Sequence, residues 1–377
     1  MRILEIAGLS AGGVRSHLAD VCAALRGHEC AVLAPAPVLT YLAERGQRPS
    51  RSAAISLGAL PSSRDLLTLR TIRAWARRAD VVHAHTLRAG AYAALALAGL
   101  RRRPRLVVTA HNMPLGSALV RATGAVLFAI VARGADRILG VSPDLVERAR
   151  RLGADAGLAI VPAPPTTLPA RPLTDEPGAR PTIAADLPRW RQGANLLTVG
   201  RLSYQKGLDL LMDTAERLAP DHDLTWYVAG EGPEQATLAE QIEQRALPVV
   251  LLGRRTDIPD LLRGVDVVVQ TSRWEGQPVA LQEAIHAGAA IVATDVGGSG
   301  VVLGPELAGC TPQPQSLAAE IEALLRDPDA LRARRAAARE RSATLPDTAD
   351  LARHLAVELH LDAPEIRDVP GGGTSAR

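Results

Sequence analysis

Lysine is almost missing from this chain: Lys206 stands alone beside 42 arginines in 377 residues. Asparagine occurs twice, as Asn112 and Asn195, and aromatic residues make up only 2%. The accompanying surplus of Ala, Arg, Gly and Pro fits coding pressure from a GC-rich genome. Lysine and arginine replace one another on most solvated surfaces, so such pressure removes lysine there first. A surviving lysine is therefore a pointer to a site where a compact ammonium does what a planar guanidinium does not.

Cysteine is scarce too. Cys22, Cys30 and Cys310 are an odd number at spacings unlike a metal cluster. This argues against a disulfide framework and a zinc cluster, and fits a reduced cytosol. The longest apolar runs, Ala89–Leu100 and Ala122–Ala132, fall short of the ~20 residues that cross a bilayer. Met1-Arg2-Ile3-Leu4-Glu5 lacks the charged-then-apolar pattern of a secretory signal. The expectation is a soluble, cytoplasmic protein.

What is present is globular: 47% hydrophobic and 22% charged residues, in a length that predicts two domains. The net charge of +3 conceals a split, since residues 1–168 carry +12 and residues 169–377 carry −9. Short apolar runs alternate with helical stretches in both halves, as buried parallel strands with helices between them do. In the first half the runs are Arg2–Ala7, Cys30–Ala34, Ala53–Leu57, Val81–His85, Leu106–Ala110, Arg137–Val141 and Leu158–Val161. In the second they are Leu196–Gly200, Thr225–Ala229, Val249–Leu252, Val265–Gln270 and Ala290–Thr294. Seven prolines within Ala163–Ala194 interrupt the rhythm. The chain thus divides into an N-terminal domain (1–165), a proline-rich linker (166–194) and a C-terminal domain (195–345). A terminal helix (346–362) returning toward the N-terminal domain and a disordered tail (363–377) follow. Ser316–Arg341 reads as one further helix.

Three motifs carry chemistry. Gly8-Leu9-Ser10-Ala11-Gly12-Gly13 follows the first strand, but Ser10 stands where a dinucleotide fingerprint needs glycine. Gly12 and Gly13 opening a helix still offer amides to an anion or a sugar, or else form a plain tight turn. Gly200-Arg201-Leu202-Ser203-Tyr204-Gln205-Lys206-Gly207 is not a P-loop, because glycine rather than Ser or Thr follows the lysine. Its two cations suit a diphosphate, Arg201 as a two-donor fork and Lys206 as a point charge. In Glu275-Gly276-Gln277-Pro278-Val279-Ala280-Leu281-Gln282-Glu283, Pro278 suits the first turn of a helix whose amides from Gly276 to Leu281 point at an anion. Carboxylates accept but do not donate, so Glu275 and Glu283 suit hydroxyls on either side of that anion: a sugar and a ribose.

Gly200–Gly207, Val228–Pro233 (Val-Ala-Gly-Glu-Gly-Pro) and Glu275–Glu283 resemble the family-4 retaining glycosyltransferases of the GT-B architecture. Two Glu separated by seven residues mark the donor site in that family, and Arg-Leu-x-x-x-Lys-Gly supplies its diphosphate cations. Gly12-Gly13 and Thr109-Ala110-His111-Asn112 also match. The chain departs from the family at Ile285-His286, where Met-Ala is common, and lacks a carboxylate soon after Gly297-Gly298.

The resemblance implies an α/β GT-B fold, two Rossmann-like parallel-sheet domains facing each other across a cleft. It implies retaining, metal-independent transfer of a sugar from a nucleotide-diphosphate sugar, UDP favoured and GDP open, to an acceptor hydroxyl in envelope or exopolysaccharide assembly. Arg201, Lys206, Glu275 and His111 would act at the reacting centre. Gly12, Gly13, Gly230, Gly232, Arg254, Gly276, Pro278, Val279, Ala280 and Glu283 would bind the donor, with the base near Gly253–Ile258. No cofactor is required beyond this co-substrate, and nucleic acid is no partner. The acceptor is a glycan, a lipid-linked glycan or a small molecule. Arg70, Arg73, Arg77 and Arg101-Arg102-Arg103-Pro104-Arg105 raise peripheral contact with an anionic membrane at the inner face of the plasma membrane, against simple complementarity to the acidic half. His83, His85 and His111 end adjacent strands and could converge, but no metal is expected there. Asp221–Asp223 and Asp327–Asp329 read as surface carboxylates. The competing class is a non-catalytic nucleotide-sugar-binding protein; a PLP-dependent phosphorylase would need Lys206 for its Schiff base.

Overall fold

The computed structural model describes residues 1–8, 12–58, 64–163 and 193–361. The proline-rich linker, up to residue 192, and the tail at 363–377 lie outside them, as do Leu9, Ser10 and Ala11.

Two parallel sheets form. The first contains β1 (Arg2–Ala7), β2 (Glu29–Ala34), β3 (Arg51–Ala54), β4 (Val81–His85), β5 (Arg105–Ala110), β6 (Arg137–Gly140) and β7 (Ala156–Leu158), in the order β3-β2-β1-β4-β5-β6-β7. The second contains β8 (Ala194–Val199), β9 (Leu224–Ala229), β10 (Val249–Gly253), β11 (Val267–Gln270) and β12 (Ala290–Ala293), in the order β10-β9-β8-β11-β12. Each order reverses once, between β1 and β4 and between β8 and β11. Ligands of open α/β sheets bind outside the strand ends at such a reversal.

Helices cover both faces of each sheet, which is why the strands read as continuous apolar runs. Along β8, Leu196 belongs to one core cluster and Leu197 to another; Val267 and Val268 of β11 divide in the same way. Each fully buried aliphatic side chain of this kind contributes about 1.5–3 kcal/mol. The N-terminal core forms around Ile3, Leu4, Val82, Leu106 and Phe128.

The edges of the sequence reading shift. β3 lies earlier than Ala53–Leu57, and Ile55 and Leu57 are buried just beyond it. β7 ends where Leu158–Val161 begins, because Val161 bonds to the other domain instead of to the sheet. Ser316–Arg341 is two helices, Pro314–Arg326 and Pro328–Ser342: Pro328 has no N–H to continue the first, and Asp327 caps the second by accepting from the Asp329 N–H at 2.8 Å. Helix Thr348–Glu358 crosses to the N-terminal domain, where Leu351, Leu355 and Leu359 enter its core and Glu358 accepts from Arg137 at 2.7 Å. No helix among the described residues is long and apolar enough to cross a membrane.

Candidate active site

The loop leaving β8 and the loop leaving β11 are joined along their length. Arg273 N–H donates to the Gln205 carbonyl at 2.8 Å, Gln205 Nε2 to the Trp274 carbonyl at 2.9 Å, and Thr271 Oγ1 to the Lys206 carbonyl at 3.0 Å. Gly207 permits this approach: its φ is +61°, and a Cβ there would lie 2.1 Å from the Thr271 carbonyl oxygen. The result is an ion pair at the reversal of strand order, Lys206 Nζ to Glu275 Oε1 at 2.6 Å. Ser272 Oγ donates to the same oxygen at 2.5 Å. Glu275 is buried and Lys206 half-buried, so the lone lysine neutralises a carboxylate that water barely reaches.

The other expected residues surround this pair unevenly. Arg201 is exposed at the mouth of the β8 loop. Helix Val279–His286 starts just after Pro278, which occupies its N-cap instead of its first turn. Gly276, Val279 and Ala280 line that start, half-buried. Glu283 lies one turn in, half-buried, and burial pushes its carboxyl up from the ordinary value. Gly230 and Gly232 press against the backbone of the β8 loop: a Cβ on Gly230 would sit 1.8 Å from the Gly200 carbonyl oxygen. Arg254 is exposed after the edge strand β10, two strands away from β8.

From the N-terminal domain, Gly12 and Gly13 are exposed at the start of helix Gly13–Ala24. His111, after β5, meets the loop that follows β11 through its backbone: its carbonyl oxygen is 3.7 Å from where a Gly276 Cβ would stand. Its imidazole is buried in a chain of hydrogen bonds that the sequence reading only partly foresaw. His111 Nε2 lies 3.4 Å from His85 Nδ1, His85 Nε2 lies 2.8 Å from Glu5 Oε2, and His83 bridges Glu5 and Thr109. Burial outweighs all else in keeping His17, His85 and His111 below the ordinary histidine range. Burial pushes the Glu5 carboxyl up, but His83 and His85 together reverse that and hold it at about 2. His17, His85 and His111 each bring a ring nitrogen within 4.8 Å of the other two, a spacing that could hold a transition metal. The His85–His111 bond needs no ion, because one Nε2 proton on His111 satisfies the His85 lone pair. Asp221, Asp223, Asp327 and Asp329 are exposed, and Asp223 lies beside the start of β8, where its carbonyl accepts from the Ala194 N–H at 2.8 Å, the opposite end of that strand from the Lys206 loop.

Residues 181–341 match the family described as Glycosyl transferases group 1, and residues 11–164 match Glycosyltransferase Family 4. The glycogen synthase of Mycobacterium tuberculosis (strain ATCC 25618 / H37Rv) is 33% identical over 291 residues, 73% of this chain and 67% of that protein. The chain belongs to the family-4 glycosyltransferases. A shorter stretch of this glycosyltransferase, 106 residues, is 38% identical to the lipopolysaccharide core biosynthesis mannosyltransferase LpsB of Rhizobium meliloti (strain 1021), covering 26% of the chain and 30% of LpsB. Its fold is that of Anabaena Alr3699/HepE, solved in complex with UDP and glucose: TM-score 0.76, 21% identity, 96% of this chain and 99% of that one. The architecture is therefore GT-B.

Several residues of this glycosyltransferase site escaped the sequence reading. Ser272 and Trp274 flank Glu275, and Trp274 Nε1 donates to Asp144 Oδ2 of the other domain at 2.8 Å. Gln277 and Gln282 are buried and reach the other domain. Glu5 did leave a signal, as a charge inside the apolar strand Ile3-Leu4-Glu5-Ile6-Ala7.

Proposed function

We propose that the chain transfers a sugar from a nucleoside diphosphate sugar to an acceptor hydroxyl, with retention at the anomeric carbon. The observation that carries this is the Lys206–Glu275 pair, set where the strand order reverses and beside the start of helix Val279–His286. Cations and amides suit a diphosphate, and the carboxylates of buried Glu275 and half-buried Glu283 suit the hydroxyls on either side of it. A UDP-sugar is favoured because HepE, of the same fold, was solved with UDP and with UDP-glucose.

In this reading the diphosphate competes with Glu275 for Lys206. The ammonium, with Arg201, stabilises the charge that builds on the leaving group. Glu275, freed from that pair, accepts a hydroxyl of the transferred sugar, and Glu283 accepts from the ribose. Arg254 and its loop meet the base, and Gly12, Gly13 and His111 form the opposite wall. The acceptor oxygen attacks the anomeric carbon on the face that the diphosphate leaves. The carbon–diphosphate bond breaks as the new bond forms, and the acceptor proton passes to a diphosphate oxygen. Side-chain cations and amides balance the phosphate charge, so no metal is needed for this step.

For the acceptor we favour an envelope or exopolysaccharide glycan, in line with LpsB, a mannosyltransferase of lipopolysaccharide core biosynthesis. Helices Arg64–Ala76, Leu87–Leu97 and Ala118–Gly134 pack side by side and expose Leu66, Leu67, Leu95, Leu119, Val120 and Val126, with Leu119 75% exposed. Exposed Arg70, Arg77 and Arg101 accompany them, which suits a lipid-linked acceptor at an anionic surface. Arg73 does not join this face freely, since its guanidinium donates to the Ala96 and Ala98 carbonyls at 2.7 Å each.

The test is turnover of UDP-, GDP- and ADP-sugars with the anomeric configuration of the product read by NMR, with and without EDTA. Retention that persists in EDTA is expected. An inverted product, or complete loss on chelation restored by Mg²⁺ or Mn²⁺, overturns the mechanism. Nucleotide-sugar binding without turnover would make the chain a sensor.

A further inference from the structure

Gln277 and Gln282 belong to the donor segment, yet their side chains bond to the other domain. Gln277 Oε1 accepts from the Val161 N–H at 3.0 Å, and its Nε2 donates to the Ala159 carbonyl at 2.6 Å and to the Val141 carbonyl at 3.3 Å. Gln282 Oε1 accepts from the Ala163 N–H at 3.0 Å, and its Nε2 donates to the Val161 carbonyl at 2.9 Å. Both glutamines are buried, at 8% and 1% exposure.

The pattern has a simple meaning. Along the segment that follows β7, the Ala159 N–H still bonds to the Gly140 carbonyl of β6 at 2.8 Å, whereas Val161 turns both its N–H and its C=O to one side, as a residue of a parallel ladder does to its neighbour. Here the neighbour is two carboxamides. Among side chains, an amide alone pairs one carbonyl acceptor with an NH₂ donor, as a peptide unit does. A carboxylate could not donate to the three carbonyls, and an aliphatic side chain would leave buried backbone groups without partners.

Glu275 stands two residues before Gln277, with a domain contact on each side of it in the chain. Trp274 bonds to Asp144, and Gly276 packs so closely on Val141 that a Cβ would lie 2.6 Å from Val141 Cγ2. We propose that Gln277 and Gln282 are positioning residues that latch the Glu275–Glu283 segment to the N-terminal domain and form the pivot about which the two domains move. The latch sets where the Glu275 carboxylate stands relative to His111. Its catalytic consequence rests on the donor-site reading above; its mechanical consequence does not.

The experiment uses the full chain with Gln277→Glu and Gln282→Leu, singly and together. Spin labels at Arg101→Cys and Arg217→Cys, both exposed positions in different domains, report the interdomain distance; the native cysteines are buried. The distance distribution should broaden in the double variant. Turnover should fall about tenfold to a hundredfold, as misplacement by about 1 Å does, while UDP affinity by calorimetry stays within about twofold. An unchanged distance distribution, or unchanged kcat, overturns the latch. Parallel loss of UDP affinity and kcat also overturns it, because the glutamines would then only hold their own helix together. If the wild type turned over no nucleotide sugar, the donor-site reading would fail, whereas a broadened distribution in the variant would still support the pivot.

Discussion

Replacing Lys206 by Met separates two roles that the ion pair combines. In the fold the ammonium faces Glu275 Oε1 at 2.6 Å, with side-chain exposures of 20% and 6%. Removing the cation leaves a carboxylate that keeps Ser272 as its donor but has lost its countercharge. Breaking a buried pair from one side costs about 3–5 kcal/mol; the partial exposure of Lys206 puts this case near the lower end, at about 3 kcal/mol. Urea unfolding followed by circular dichroism measures that loss. Adding Glu275→Gln removes the stranded charge and should recover most of the stability. It should not recover catalysis, because the diphosphate would still lack its ammonium. Loss of one preorganised charge contact costs about 2.7–4 kcal/mol in transition-state stabilisation, which is a hundredfold to a thousandfold in kcat/KM. Lys206→Arg should restore activity only in part, since the fork has a different reach. Near-normal kcat/KM in Lys206→Met, or full recovery in the double variant, would refute the diphosphate role. A variant as stable as wild type would refute the pairing itself.

Two further outcomes follow from the N-terminal domain. Burial disfavours imidazolium at His17, His85 and His111 and holds each below its ordinary value in the fold, whereas the unfolded chain protonates them near pH 6.5. Stability should therefore fall as pH drops below about 6.5, by up to about 1.4 kcal/mol per pH unit for each imidazole. Glu5 acts in the same direction at lower pH: held at about 2, it stabilises fully above the ordinary carboxyl range and loses that effect as pH falls toward 2. Urea midpoints at pH 7.5, 6.5 and 5.5 check this, and a midpoint that does not move would refute it. On vesicles containing acidic lipid, replacing Arg70 and Arg77 by Gln should remove about 2 kcal/mol, near thirtyfold in partitioning, at about 1 kcal/mol per basic residue. Wild-type protein that ignores such vesicles at low salt would redirect the acceptor toward soluble molecules.

The strands were legible because both faces of each sheet are covered, so Ile3-Leu4, Val81-Val82 and Leu196-Leu197 needed no polar alternation. The helix from 316 to 341 was misread because apolar periodicity continues across Asp327-Pro328, although the missing proline N–H ends the ladder there. Lys206, Glu275 and Glu283 stood out by type and spacing. Their relation did not: the two partners of the ion pair are 69 residues apart and meet only because β8 and β11 are neighbours in the sheet. Gln277 and Gln282 were hidden for another reason. A glutamine in a loop, like Gln277, or in a helix, like Gln282, usually faces solvent, and nothing local announces that its partner is the backbone of another domain. The arginines misled in the opposite sense, since Arg73, Arg103 and Arg105 look like free surface charge but bind helix-end carbonyls, Asp136 and the Glu358 carbonyl.

Helix Thr348–Glu358 sets an order on the birth of the molecule. The ribosome releases the first sheet long before the second, yet Leu351, Leu355 and Leu359, which complete the core of that first sheet, emerge after both sheets. Arg137 on β6 waits for Glu358 in the same way. The half of the protein made first is thus the half finished last, and until the chain end arrives an apolar groove beside helix Gly13–Ala24 stays uncovered. A cut at the proline-rich stretch would free two pieces that are not two domains: the front piece would lack a wall, and the rear piece would carry that wall with nothing to lean it on.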